Sequence, residues 1–465
     1  MRVVYKKCAG MDVHKKNVVA CVLTDDHQQT RTFRTVTADL RELAEWLRSE
    51  EVGAIAMEST GVYWKPVWNV LEEEEADWEL LLVNAKHVKQ VPGRKTDVKD
   101  AEWLAELLRH GLLSASRVPE RAQRELRDLT RFRRTLIRER AHEVQRLQKV
   151  LESANVKLDS VISDGVGVSG KAMIRAMVRG ETDPATVAGL ADPRLKATTE
   201  QLCEALEGVI GEAHRVVLEV ILEHIEQLDR HIERMDQEIR HQLDRMDSPP
   251  SGGDGGQSSP EAAPFDPETG EILSENESSS GDPEAQGTTT QVKLTWRGAV
   301  ELLDGIPGIG ERSAQDILAE TGLDMTAFPT SRHLTSWAKI SPGNCESAGK
   351  RRHGRTGKGN KWLKSTLVEC SWSAVRVKDC YYKNLYGRLS GRRGAKRAIV
   401  AVGRSLLEAI YPMLKRNEPY RELGADHHDW LRRERIANRA VRRLEKLGFA
   451  AQLIDLHAAA ANAAA

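Results

Sequence analysis

Between residues 9 and 84 five short β-rich runs, AGMDVHK, NVVACVLTD, TRTFRTVT, VGAIAME and WELLLVN, carry the composition of strands. Helical spacing of apolar positions fills the gaps, over Asp39 to Ser49 and Val62 to Glu74, and returns from about Asp97 to His110. The predicted order is β-β-β-α-β-α-β-α. Meander strands feeding βαβ units make a mixed sheet covered by helices.

The pattern then changes. From Pro119 to about Glu152, Leu126, Leu129, Phe132, Leu136, Ile137, Val144, Leu147 and Leu151 recur at three- and four-residue steps in a densely charged background. A second such stretch is predicted over Glu200 to Met246. A narrow stripe of this kind suits a helical hairpin within one chain or a coiled coil between chains. Residues 248–290 are rich in Gly, Ser, Pro and acid and lack apolar periodicity, which predicts a disordered linker. Val292 to Glu422 again reads as compact and helical. The fold class expected is α/β plus all-α. Its segments are a sheet domain over 1–115, a helical region over 116–247, the acidic linker over 248–291, a helical domain over 292–425 and a helical tail over 426–465.

Charge alters this picture only when it is mapped. The 465 residues hold 69 basic and 69 acidic side chains, a balance that by itself argues against a polyanionic partner. Yet residues 248–290 carry nine acids and no Lys or Arg, and Ser347 to Arg416 carries eighteen Lys and Arg against three acids. The neutral sum conceals a basic region. The six cysteines show no metal-finger spacing, as expected of reduced thiols in a cytoplasm. No signal-peptide core or membrane-spanning run is present in the sequence, so a cytoplasmic protein with no membrane contact is expected.

Four carboxylates interrupt the apolar pattern. Asp12 lies in or at the end of the first strand and Glu58 ends the fourth, where neighbouring strands can bring both to one edge. Asp97 and Asp100 are three residues apart at a helix start and share a face. Converging carboxylates need a cation, and a hard ion such as Mg²⁺ (or Mn²⁺) would activate phosphodiester chemistry there. Taken singly, Asp97 also reads as a helix cap and Glu58 as a solvated strand end. Lys15, Lys16, Arg94, Lys95 and Lys99 supply phosphate contacts if nucleic acid crosses this edge, and are otherwise surface charge.

Further along, LLDGIPGIGERSAQDILAETG places a glycine turn between two helices. Gly308 and Gly310 let backbone amides approach a phosphate, in the manner of a helix-hairpin-helix, or simply make a tight connection. The run NCESAGKRRHGRTGKGNKWLKSTL predicts a flexible basic loop against polyanions, with Lys350, Arg351, Arg352, Lys358 and Lys361 as contacts. Ser347 within it is one loop serine among many, because spacing does not reveal a base or metal that would activate it.

The element order outlines a ribonuclease-H-like domain. Together, GMDVHK, AMESTGVYW, VNAKHVKQVPGRKTDVKDAEWLAELL, LLDGIPGIG and the SAGK loop closely resemble the DEDD transposases of the insertion sequence 110 family, over roughly 8–155 and 292–420. That resemblance implies a RuvC-like tetrad of Asp12, Glu58, Asp97 and Asp100. It also implies that Ser347 joins DNA covalently, and that a noncoding bridge RNA pairs with donor and target DNA. Three details differ from the family: Ala348 separates Ser347 from Gly349, the acidic linker is longer than typical, and Asn84-Ala85 stands where Asn-Pro is usual. A site divided between distant segments further implies a homodimer or homotetramer. The residues alone leave open a metal-dependent junction nuclease using water and a non-catalytic nucleic-acid-binding protein.

Overall fold

The computed structural model describes residues 2–58, 61–74, 76–83, 100–248, 294–342, 356–357 and 359–450, with backbone alone for 345–347 and 350–352. Asn84 to Lys99 and the acidic linker lie outside the described residues. The chain divides into two units, which part between Glu120 and Arg121.

The first unit is built on a five-stranded sheet. Its strands are β1 (Cys8–Val13), β2 (Asn17–Leu23), β3 (Gln28–Arg34), β4 (Ala54–Glu58) and β5 (Glu79–Val83), in the order β3-β2-β1-β4-β5. The first three pair antiparallel, whereas β1, β4 and β5 run parallel. Parallel strands buried on both faces read as continuous apolar runs, which is why AIAME and ELLLV were recognisable. One face, with Met11, Val13, Val18, Ala20, Ile55 and Met57, is covered by α1 (Thr37–Ser49) and α2 (Trp64–Glu73) through Leu43, Leu47, Val67 and Leu71.

The opposite face is made of small residues. Cys8, Ala54 and Ala56 meet Leu104, Leu107 and Leu108 of α3 (Asp100–Arg109), and Cys21 meets Ala101 and Ala105. A Cβ on Gly10 would stand 2.2 Å from the Ala101 carbonyl oxygen and 2.3 Å from the Ala105 nitrogen. Glycine is therefore what allows the α3 backbone to rest on β1. Burial also pushes the Cys8 thiol up to about 12.

The second unit is helical. Two long helices, α4 (Arg121–Ser153) and α9 (Glu212–Asp247), run antiparallel within the same chain, so their apolar stripes meet each other through Leu136, Leu228 and Ile232. At one end Leu147, Leu151, Leu218 and Ile225 share a core with the short helices α5 (Leu158–Val161), α6 (Val168–Val178), α7 (Pro184–Ala188) and α8 (Thr199–Leu206). The expected single helical stretch over Glu200 to Met246 is broken between α8 and α9. Gly208 packs where a Cβ would meet the Ala154 carbonyl at 2.5 Å, and Gly211 is the extended N-cap of α9.

At the other end Leu126, Ile239 and Leu243 join the core of α10 (Trp296–Asp304), α11 (Glu311–Thr321), α12 (Ser331–Trp337), α13 (Lys361–Ala374), α14 (Tyr381–Arg393) and α15 (Ala395–Arg416). The seam is ionic as well as apolar. Arg133, 1% exposed, donates to Asp236 at 2.9 Å, Asp316 at 2.7 Å and the Arg312 carbonyl at 3.0 Å. A planar fork with several donors suits this task. Burial nonetheless holds the Asp316 carboxyl above its ordinary range, outweighing Arg133 and Arg134 beside it. The Asp247 carboxylate, at the end of α9, accepts from the backbone amides of Trp296 at 2.5 Å and Arg297 at 2.9 Å, so it caps α10. Two short helices, α16 (His427–Trp430) and α17 (Arg433–Lys446), follow. Among the described residues no helix is long and apolar enough to cross a membrane.

Candidate metal centre and serine hairpin

Side chains alternate along a strand, so the face of Asp12 follows from its neighbours. Cys8 and Gly10 lie against α3, which puts Asp12 in the same row. On β4, Ala54 and Ala56 lie against α3, which puts Glu58 there too. The parallel register Met11↔Met57 leaves Asp12 and Glu58 one step further along each strand, at the carboxyl ends of two adjacent strands. Because Gly10 abuts Ala101 and the Cys8 sulfur contacts the Ala105 carbonyl at 3.5 Å, α3 runs opposite to β1. Its first residue, Asp100, therefore lies towards the Asp12 end of the strand.

Three of the four expected carboxylates thus share one face and one edge of the sheet, and Asp97 lies outside the described residues. They do not form a finished cage: among the described residues no group of three His, Cys, Asp or Glu is close enough together to hold a metal. The donor set, oxygen throughout, fits a hard divalent cation. Asp12 is only 14% exposed and meets His14, whose Nε2 is 3.0 Å from its Oδ2. Sequence reasoning passed over His14, although a spacing of two along a strand places it on the Asp12 face. Lys15 is exposed in the β1–β2 turn beside this edge, with its carbonyl held by the Thr35 hydroxyl at 2.8 Å. Arg94, Lys95 and Lys99 lie outside the described residues.

In the second unit the basic segment contains more order than a flexible loop. β6 (Cys345–Ser347) and β7 (Lys350–Arg352) pair antiparallel, with Ser347 opposite Lys350, Glu346 opposite Arg351 and Cys345 opposite Arg352. A pairing so short depends on its turn, and strand periodicity over three residues is too brief to read. Lys358 lies outside the described residues. Lys361 opens α13, exposed, with its ammonium 5.1 Å from the Trp362 ring centre.

The glycine turn joins α10 to α11. Gly308 has φ +85°, and a Cβ there would meet the Ala374 nitrogen at 2.4 Å and the Cys370 carbonyl at 2.6 Å. Contact with α13 thus accounts for the glycine at 308 without a phosphate. Gly310 caps α11, and no atom comes closer to its missing Cβ than Asp304 Oδ1 at 3.9 Å.

Two comparisons bear on these segments. A transposase family model of the DEDD IS110 type matches residues 9–156, and the model described as Transposase IS116/IS110/IS902 family matches residues 300–386. Together they span just over half of the chain. The first match contains Asp12, Glu58, Asp97 and Asp100, and the second contains Gly308, Gly310 and Ser347. Over 117 residues the chain is 29% identical to the "Insertion element IS110 uncharacterized 43.6 kDa protein" of Streptomyces coelicolor, a stretch of 24% of this chain and 28% of that relative. The chain thus aligns with just over a quarter of that curated relative's length.

Proposed function

As a member of the IS110 family of DEDD transposases, the chain carries a family assignment from which its chemistry can be argued, and we propose that it cuts and rejoins DNA. One observation carries this reading: Asp12 and Glu58 end adjacent parallel strands on the face covered by the helix that Asp100 opens. Asp12, Glu58, Asp97 and Asp100 would hold Mg²⁺ or Mn²⁺. When bound, such a cation supplies positive charge to a scissile phosphodiester and its leaving oxygen.

In this proposal the Ser347 hydroxyl attacks the phosphorus. An Oγ–P bond forms, the bond from phosphorus to one DNA oxygen breaks, and the proton passes to that oxygen. A second DNA hydroxyl then reverses the step on a new strand and releases the serine, so no external energy is consumed. Lys350, Arg351, Arg352, Lys358 and Lys361 balance phosphate charge, with Lys15, Arg94 and Lys95 at the sheet edge and the Gly308–Gly310 turn as a helix-hairpin-helix contact. The partners proposed are donor and target DNA, a bridge RNA and further copies of the chain as a dimer or tetramer, in the cytoplasm. The α4 and α9 pair, whose stripes meet within the chain, would serve as a rigid arm.

Three measurements test this. Ser347→Ala abolishes the covalent protein–DNA adduct, and an adduct of undiminished yield refutes the serine role. Asp12→Ala loses cleavage while keeping DNA binding, and recombination retained in that variant reduces the protein to a binding module. RNA recovered with the protein maps beside its own gene, and its absence refutes guidance.

A further inference from the structure

The segment that carries Ser347 leaves α12 and re-enters at α13, and both of its ends are tied to buried groups. On entry, Ile340 is buried and the Ser341 hydroxyl donates to the buried Thr335 hydroxyl at 3.0 Å. On exit, the Lys364 ammonium donates to the carbonyls of Gly357 at 3.0 Å and Lys339 at 3.3 Å. Gly359 adopts φ +49°, and a Cβ on it would meet the Ala338 carbonyl at 2.7 Å.

The last tie is Asn360, whose amide works at both ends. Its oxygen accepts from the backbone amides of Trp362 at 3.0 Å and Leu363 at 3.2 Å, capping α13. Its nitrogen donates to Glu320 Oε2 at 2.6 Å. Glu320, on α11, is 2% exposed, and Arg131 of α4 grips it with two bonds of 2.7 and 2.8 Å. A buried carboxylate is retained here by partners from two separate parts of the chain, α4 and the cap of α13. The α13 cap needs only the amide oxygen, and Arg131 needs only the carboxylate. The bond from Asn360 to Glu320 is required by neither, and what it adds is a fixed position for the exit of the serine segment.

We infer that Glu320 is a positioning residue for Ser347, acting through Asn360. This rests on the role proposed above for Ser347. Catalysis by a hydroxyl requires placement within a fraction of an ångström, so release of one end of the segment slows attack without weakening the capture of DNA.

The test exchanges the two polar groups. Asn360→Asp keeps the capping oxygen but sets two carboxylates against each other. Combining it with Glu320→Gln restores one amide and one acid across the contact, with their roles reversed. The full-length chain is assayed in Mg²⁺ on a supercoiled plasmid carrying the DNA that flanks its own coding sequence. Asn360→Asp is expected to slow adduct formation about tenfold at unchanged DNA affinity. It is also expected to speed trypsin cleavage after Lys350, Arg351 and Arg352. The double exchange recovers part of both effects, since Arg131 keeps one of its two acceptors at position 320. Parental rates in Asn360→Asp overturn the inference, and so does a double exchange that fails to recover. Should Asn360→Asp not fold, Asn360→Ser decides, because its hydroxyl keeps a capping oxygen while the donor to Glu320 is lost, and parental rates in that variant overturn the inference. Ser347→Ala is run beside them. An adduct formed by that variant removes the serine reading, while the trypsin arm still judges the contact between Glu320 and Asn360.

Discussion

Replacing Gly10 by alanine adds one methyl group at the point where α3 rests on the sheet. The backbone there is extended, not left-handed, so the substitution is not strained on its own account. A lower entropy of the unfolded chain even favours alanine by about 0.5–1 kcal/mol. Against this, the methyl carbon starts 2.2 Å from the Ala101 oxygen, 2.3 Å from the Ala105 nitrogen and 2.9 Å from the Leu104 carbonyl carbon. Relief requires α3 to lift by about 1 Å, and overpacking of this kind costs about 1–3 kcal/mol. The clash wins. We expect a net loss of about 1–2 kcal/mol and a melting transition lower by roughly 5 °C. A larger effect is expected on the proposed metal site, because α3 carries Asp100 and a hard divalent cation would tolerate little misplacement of its oxygen donors. Calorimetry with Mn²⁺ titration of the full-length protein measures both, and Mn²⁺ affinity should fall by about tenfold or more. The obstruction is main chain, so Ala101→Gly or Ala105→Gly placed beside Gly10→Ala gives no recovery. Parental melting and parental Mn²⁺ affinity, or full rescue by either glycine, refute the argument.

Arg133→Ala leaves Asp236 and Asp316 without their shared buried cation, and we expect destabilisation of about 3 kcal/mol or more in urea unfolding; a change below 1 kcal/mol contradicts the ionic seam. Burial pushes the Asp229 carboxyl up, but hydrogen bonds from Arg140 and Lys171 outweigh it and leave the group below its ordinary 3.8. Its contribution to stability is therefore complete above that value and lost as pH falls through the lower folded one. Asp229→Asn should melt below the parent at pH 6 and approach it in strong acid, and a pH-independent difference counts against the pairing. The Cys8 thiol, held near 12, should resist iodoacetamide at pH 8 until α3 lifts; labelling at the rate of an exposed thiol in the native protein contradicts that burial.

The sheet unit was legible in sequence because the central strands β1, β2 and β4 are largely buried and each helix carries an apolar stripe, so runs and periods alternate. Asp12 and Glu58 stood out for the same reason, as acids that break apolar runs. Arg133 did not. Among arginines spaced along a charged helix it reads as a solvated face, and its partners Asp236 and Asp316 are about a hundred or more positions away. The break between α8 and α9 was missed because the charged periodicity on its two sides is alike. Gly208 marks it only through a contact with Ala154, which no local pattern records. The pairing of Ser347 with Lys350 was hidden in a run read for its charge, and His14 in a motif read for its aspartate.

Asp247 accepting from the amides of Trp296 and Arg297 makes the two ends of the intervening segment neighbours in space. The fold therefore sees a closed ring rather than a tether, and the length of the ring is nearly free. Shortening such a loop about sixfold changes its closure entropy by only about 1.5 kcal/mol. Insertions, deletions or a chain break there leave both flanking helices seated on each other. For anyone wishing to graft a tag, a fluorophore or a second protein into this chain, the position after Ser248 is a natural port.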